Sequence, residues 1–400
     1  MPLETPTIYL DHSAATPVDP RVAEAMAPFL GDRFANPSSI HDAGRQARAA
    51  IDASRAAIAA LFGARPEEIV FTSGGTESNN LAILGACRAA GTGGKRIVTT
   101  AIEHHSVLRP IEYLARHEGF SAEVVGVDRF GLVNLDALEK SIAAGATLVS
   151  IQYANNEIGT VQPIAAIAKM VRRARRKSGS NYPLLHVDAC QAAGAYPLDM
   201  RELGIDLMTV NGAKICGPKG IGILYVRRGV ALAPLMFGGS HENGLRPGTE
   251  NVAGIVGMAE ALRLAAEHRP AETARLSRLR DILASEIVAR VSGAVVNGHP
   301  IFRLPGVLHV SIPGADGEAM LIYLSSRGVH ASAGAACDAG SNESSHVLTA
   351  IGMAGDRIRG SLRFSLGRNT VESDVRQAAG SLVEVLNILR VPAVDTAKTA

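Results

Sequence analysis

The sequence predicts an α/β protein built on a mostly parallel, seven-stranded sheet covered by helices, joined to a smaller α+β part. Short apolar runs alternate with helical patterns from residue 69 to residue 226, the rhythm of a parallel sheet with both faces buried. At 400 residues the chain exceeds what one hydrophobic core usually supports, so two domains are expected. The residues best suited to chemistry fall at strand ends or in the loops that follow, where ligands of such sheets sit.

In chain order, residues 8–10 form a short apolar run, and Asp11–Pro20 is rich in turn formers. Arg21–Leu30 reads as a short helix, and Phe34–Ile40 as a loop carrying Asn36 and Pro37. In His41–Phe62, alanine, isoleucine and leucine recur at helical spacing between arginines, which predicts an amphipathic helix. Strands are predicted at 69–72, 96–100, 122–127, 147–153, 183–188, 205–210 and 221–226. Helices are predicted between them at 76–90, 106–118, 135–144 and 164–177. Asn251–Val291 reads as helical but broken at Pro270, which lacks an N–H and clashes with the preceding turn; it bridges to the second domain. Gly306–Gly367 alternates short strands and helices, and Glu372–Leu389 closes the chain as a helix.

Hydrophobic content of 47% with 20% charged residues is that of a soluble globular protein. The net charge of +2 calls for no polyanionic partner, so no nucleic-acid role is expected. The run Arg172, Arg173, Arg175, Arg176, Lys177 reads as a helix end, where the dipole favours cations. The four cysteines, Cys87, Cys190, Cys216 and Cys337, make no C-x-x-C pair and no zinc spacing, so neither a metal site nor a disulfide framework is expected. The first residues show no basic stretch followed by an apolar one, and no run approaches the roughly 20 apolar residues of a membrane span. A cytoplasmic location follows as the expectation.

Three stretches carry the chemistry. Thr209–Gly222, TVNGAKICGPKGIG, places Lys214 between two apolar runs. Desolvation there disfavours the ammonium and makes such a lysine a nucleophile toward an aldehyde; read alone, the stretch more readily gives a surface lysine in a hairpin loop. Upstream, PLLHVD ends a strand in Asp188. A lysine and an acid are what pyridoxal phosphate enzymes place on the aldehyde and beside the ring nitrogen. Further upstream, IVFTSGGTES is a strand, a Gly-Gly turn and a helix start, whose free N–H groups and dipole suit a phosphate.

Taken with LDHSAATP (10–17), FTSGGTESNN (71–80), EHH (103–105), NNEIG (155–159), HVDACQ (186–191), GAKICGPKG (212–220), LRPGTEN (245–251) and LRFSLG (362–367), the chain resembles the cysteine desulfurases, NifS- and IscS-like class V enzymes of the fold-type I pyridoxal phosphate group. The resemblance runs from about Tyr9 to about Leu389. It implies a large cofactor-binding domain at 16–260 and a small domain made of 1–15 and 261–400. It implies pyridoxal 5'-phosphate as cofactor, with Lys214 as the Schiff-base lysine, Asp188 as partner of the ring nitrogen, Gln191 near the phenolate oxygen, and Gly75, Thr76 and Asn211 at the phosphate. It places His104 on the ring as a stacking group and proton carrier, Asn155 against cofactor and substrate, and Arg363 on the substrate carboxylate. Arg246 and Thr249, on the loop 238–249, reach the neighbouring subunit's site in the family, with Thr249 on the phosphate, which implies a homodimer.

The resemblance further implies L-cysteine as substrate, alanine as product and Cys337 as the nucleophile that keeps the sulfur as a persulfide for an acceptor protein such as an iron–sulfur scaffold. Cys337 lies in ASAGAACDAGS, small residues that cannot pack a core and read as a mobile loop. Cys87, Cys190 and Cys216 read as packing residues. The chain departs from the family pattern at Asn211, where serine is common, at Ala213, where histidine is common, and at Asp338, where serine or threonine usually follows the cysteine. A carboxylate beside the thiol raises its pKa. Two competing readings are another class V reaction, such as a selenocysteine lyase, and a catalytically reduced cofactor-binding assembly partner.

Overall fold

The computed structural model describes residues 7–91, 94–333 and 345–389. Cys337 and Asp338 therefore lie outside the described residues. The large sheet has seven strands, β2 (Ile69–Thr72), β3 (Arg96–Thr100), β4 (Ser121–Val125), β5 (Leu148–Gln152), β6 (Leu184–Asp188), β7 (Leu207–Asn211) and β8 (Gly222–Val226), in the order β2-β8-β7-β6-β5-β3-β4. Every residue of β5, β6 and β8 is buried, as expected of strands covered on both faces. All pairings are parallel except those of β8, which runs antiparallel to both β2 and β7. That reversal makes Gly212–Ile221 a hairpin connection, so Lys214 does sit in a hairpin loop, though a half-buried one.

The covering helices include α2 (Asp42–Phe62), α3 (Gly75–Ala89), α4 (His105–His117), α5 (Leu135–Ala143) and α6 (Ile164–Ser178). One apolar cluster gathers Ile51, Ile58 and Phe71 with Val149, Ile151, Ile167 and Val187, and another gathers Val70, Leu81 and Ile83 with Ile97, Val107 and Ile111. A third cluster is built from α12 (Glu372–Leu389), β10 (Val307–Ser311) and β12 (Ser361–Ser365), and it includes Ile8 and Leu10 near the start of the chain.

The long helix α8 (Val252–Arg290) corrects the sequence reading, because it runs unbroken through Pro270. Its first half packs Ile255, Met258 and Leu262 into the large cluster, and its second half packs Leu279, Leu283 and Ile287 into the third. Pro270 is exposed between these two anchored stretches, so the helix is held from both ends across the hydrogen bond that the proline cannot make. No described helix is long and apolar enough to cross a membrane.

Candidate active site

Because β2, β3, β5, β6 and β7 run in one direction, their carboxyl ends meet at one edge of the sheet. The cavity there is lined by Gly75, Thr76, His104, Asp188, Gln191, Asn211, Lys214 and Arg363. Asp188 and Gln191 come from the end of β6, Asn211 and Lys214 from the end of β7, Gly75, Thr76 and His104 from the starts of α3 and α4, and Arg363 from β12 of the smaller sheet.

Lys214 is fixed by the turn that follows the first strand, Ile8–Tyr9. Its Nζ donates to the carbonyls of Ser13 (2.8 Å) and Ala14 (2.6 Å). Lys219, later in the same connection, donates instead to Thr16 O (2.6 Å) and does not line the cavity. Asp188 ends β6. Its Oδ2 accepts from Asn79 Nδ2 (2.7 Å), and its Oδ1 accepts from the Cys190 N–H (3.0 Å). Asn79 Nδ2 also donates to Ser106 Oγ (2.8 Å), which stands 2.7 Å from His104 Nδ1. A hydrogen-bonded chain thus runs from Asp188 through Asn79 and Ser106 to His104.

His104 Nδ1 also accepts from the Ser106 backbone N–H (3.0 Å), so in the neutral ring the proton sits on Nε2. Burial lowers the His104 pKa, the nearby Asp188 charge opposing it, which keeps the ring neutral at pH 7. Gln191 Nε2 donates to Ser13 O (3.0 Å), the carbonyl that also holds Lys214.

The anion end of the cavity is the first turn of α3. Its N-cap, Gly74, makes no side-chain capping bond, and the first N–H groups of a helix have no partner within it. A Cβ at Gly75 would meet Cys190 Sγ at 2.8 Å and Asn211 Nδ2 at 3.4 Å, so only glycine lets the backbone come this close and the Asn211 amide stands at the turn. Asn211 Oδ1 is spent on the Ala213 N–H (3.1 Å), which leaves its amide N–H groups as the donors facing the turn. An amine beside two fixed carbonyls, a buried acid and an uncapped helix start match the aldehyde, ring nitrogen and phosphate of pyridoxal phosphate in kind.

One expectation changes. Asn155 does not line the cavity; the neighbouring Asn156 does. Asn155 is fully buried, and its amide folds the turn after β5: Nδ2 donates to Ile102 O (3.1 Å), and Oδ1 accepts from the N–H groups of Glu157 and Ile158 (both 2.9 Å). Thr249 is exposed and lies apart from the cavity lining. Its loop is tied down nearby, since Arg246 Nε donates to Glu77 Oε1 (3.1 Å), and Glu77 Oε2 accepts from Ser73 N (2.7 Å) at the phosphate turn.

Arg363 is 1% exposed. Its Nη2 pairs with Asp11 (2.7 Å), and its Nη1 donates to Asn156 O (3.0 Å). The buried Nε has no hydrogen-bond partner. The sequence reading missed Asn79, Ser106, Glu77 and Asp11. All but Ser106 sit within the motifs quoted for the resemblance, which is where a signal for them lay.

The fold and the site define a class V enzyme of the fold-type I pyridoxal phosphate group. The model of the family "Aminotransferase class-V" matches residues 8–377. The chain is 44% identical over 384 residues to cysteine desulfurase IscS of Dictyoglomus turgidum, covering 96% of this chain and 95% of the relative. Among solved structures, a NifS-like protein superposes with a TM-score of 0.89 at 35% identity, covering 96% of this chain and 100% of the other. SspA in complex with cysteine superposes with a TM-score of 0.78 at 36% identity, covering 91% and 100%. The chain belongs to the aminotransferase class-V family and, within it, to the cysteine desulfurases. Pyridoxal 5'-phosphate is its cofactor.

Proposed function

We propose that the chain removes sulfur from L-cysteine, giving L-alanine and a persulfide on Cys337, and that Lys214, Asp188 and His104 carry the chemistry before sulfur transfer. The observation that carries this reading is the Lys214 amine, held by Ser13 and Ala14 in one cavity with Asp188 and the uncapped start of α3. When bound, pyridoxal phosphate supplies an electron-poor ring that takes up the charge left on the substrate Cα after its proton is removed. The N–H groups at the start of α3, Thr76 and the Asn211 amide hold its phosphate. Asp188 keeps a proton on the ring nitrogen, and Asn79 and the Cys190 N–H orient the carboxylate for that task. With the cofactor bound, His104 would face the ring, with its Nε2–H left as a donor. Gln191 serves the phenolate oxygen.

The substrate carboxylate binds at Arg363, whose Nε is its uncommitted donor. Asn155 shapes the turn from which Asn156 faces the substrate. Lys214 Nζ takes the Cα proton. The Cys337 thiolate attacks the substrate sulfur; the S–S bond forms as the Cβ–S bond breaks, Cβ keeps the electron pair and is protonated, and alanine leaves. Atoms balance without an outside oxidant. Alanine release from L-cysteine by the purified protein under a thiol reductant tests the reading, and no release above background rejects it.

Lys214, not Lys219, carries the cofactor. Borohydride treatment of the yellow protein followed by peptide mapping is expected to find the label on Lys214, and a label on Lys219 would contradict the assignment.

The site is completed across a homodimer by Arg246 and Thr249. Supporting this, Thr249 is exposed, and so are Phe34 (84%), Ile40 (90%) and Phe237 (88%), large side chains costly to leave in water. The loop that carries Phe34 and Ile40 touches the loop that carries Thr249, through Ser38 Oγ and His241 Nε2 (3.4 Å). Sedimentation should show a dimer, and Thr249→Val should lose cofactor on dialysis severalfold faster. A monomer turning over cysteine at full rate would refute the shared site.

The division into 16–260 and 1–15 with 261–400 is the domain arrangement we favour, supported by the change of apolar cluster along α8. The sulfur acceptor is a partner protein, an iron–sulfur scaffold in our reading, and the reaction belongs to the reducing cytoplasm. The described thiols Cys87, Cys190 and Cys216 are all free, in keeping with that compartment.

A further inference from the structure

A second cavity opens behind the His12–Thr16 segment, on the other side from the cofactor cavity. Ser13, Gln191 and Lys214 line both, so the segment that holds the Lys214 amine is the wall between them. The cavity measures about 150 Å³, room for a ligand of a few heavy atoms. It lies where the two large apolar clusters face each other: Leu304 and Val307 belong to one, Leu366 to the other, and Leu276 packs against the latter.

The charges around this cavity are unequally satisfied. Arg368 pairs with Asp19, Glu272 pairs with Arg275 (2.9 Å), and His268 Nε2 meets Arg21 Nη1 (3.3 Å). Lys214 is held by the two carbonyls already described. Arg269 differs from all of them. Its Nε is buried with no hydrogen-bond partner, and among the described residues no carboxylate pairs with its guanidinium. Burial pulls its pKa down with no acid to offset the effect. A half-buried cation left unpaired beside an open cavity is a place for an anion. The planar guanidinium fork suits a carboxylate in particular, and Leu276, Leu304, Val307 and Leu366, which line the same cavity, offer an apolar wall for a short chain.

We propose that this cavity is a second ligand site, which takes a short aliphatic monocarboxylate with its carboxylate on the Arg269 guanidinium and its chain against Leu276, Leu304, Val307 and Leu366. Arg363 does not line the cavity, so the site is separate from the place we assign to the substrate carboxylate and does not rest on that assignment.

Titration calorimetry of the holoenzyme with acetate, propionate and butyrate tests the proposal. At about 0.8 kcal/mol for each buried methylene, affinity should rise roughly fourfold per added carbon, more than tenfold from acetate to butyrate. Arg269→Met keeps the stem and removes the charge, and it should weaken butyrate at least tenfold while leaving the melting temperature without ligand and the visible absorbance of the bound cofactor unchanged. Arg269→Lys, which keeps the charge without the fork, should bind butyrate more weakly than wild type and still prefer it to acetate; it serves where Arg269→Met fails to fold. Equal affinity for acetate and butyrate, no saturable heat in the millimolar range, or wild-type binding by Arg269→Met would each overturn the site. Competitive inhibition of L-cysteine turnover by butyrate would place the ligand in the cofactor cavity and overturn it as well.

Discussion

Asp188→Asn is expected to cut alanine release by about 10²–10³-fold while leaving the protein folded and still able to take up cofactor. The carboxylate is 8% exposed and is oriented by two bonds, from Asn79 and from the Cys190 N–H. An amide keeps its size and its oxygen can still accept from the Cys190 N–H, while its NH2 cannot accept from Asn79, so the strand end should survive with one bond fewer. The amide carries no charge and cannot hold a proton on the ring nitrogen. Removing one member of a buried charged pair costs about 3–5 kcal/mol, and each 1.36 kcal/mol is tenfold in rate. Steady-state alanine release measures the loss, and a thermal melt with the visible spectrum of the bound cofactor confirms that fold and binding remain. Asn79→Ala should cost less, because the Cys190 N–H still orients Asp188. Turnover by Asp188→Asn at the wild-type rate would remove the carboxylate from the mechanism.

Cys337→Ser should bring desulfurase turnover close to background while L-cysteine still binds and changes the cofactor spectrum. The hydroxyl matches the thiol in size but does not ionise near neutral pH, and the thiolate is the nucleophile. The described thiols are poor substitutes. Burial raises the pKa of Cys87, of Cys190, well above the usual range, and of Cys216. None offers a ready thiolate, although Cys190 lines the cavity. Asp338, next to Cys337 in the chain, is expected to shape the pH dependence. A carboxylate next to the thiol disfavours the thiolate and raises its pKa, so Asp338→Thr should move the rising limb of the pH–rate profile to lower pH. Wild-type activity in Cys337→Ser would exclude the persulfide and favour direct elimination or action on selenocysteine.

The sequence by itself determined the elements and the ends at which the chemistry gathers. Ile69–Thr72, Leu184–Asp188 and Leu207–Asn211 are apolar runs of strand length, and the glycines, Asp188 and Lys214 at or after their ends fall at carboxyl ends wherever such strands run parallel. These features are local, written in spacing and residue type. The tertiary structure decided the rest. It reversed β8, spent the Asn155 amide on its own turn while Asn156 faced the cavity, and carried α8 through Pro270 because both flanks were anchored. It also joined Asn79 to Asp188 across 109 positions and Asp11 to Arg363 across 352, and among the described residues it left Arg269, beside a cavity, without a paired carboxylate. Such outcomes depend on which distant groups packing brings within hydrogen-bond reach, and a side chain's partner across hundreds of residues leaves no periodicity in the chain to read.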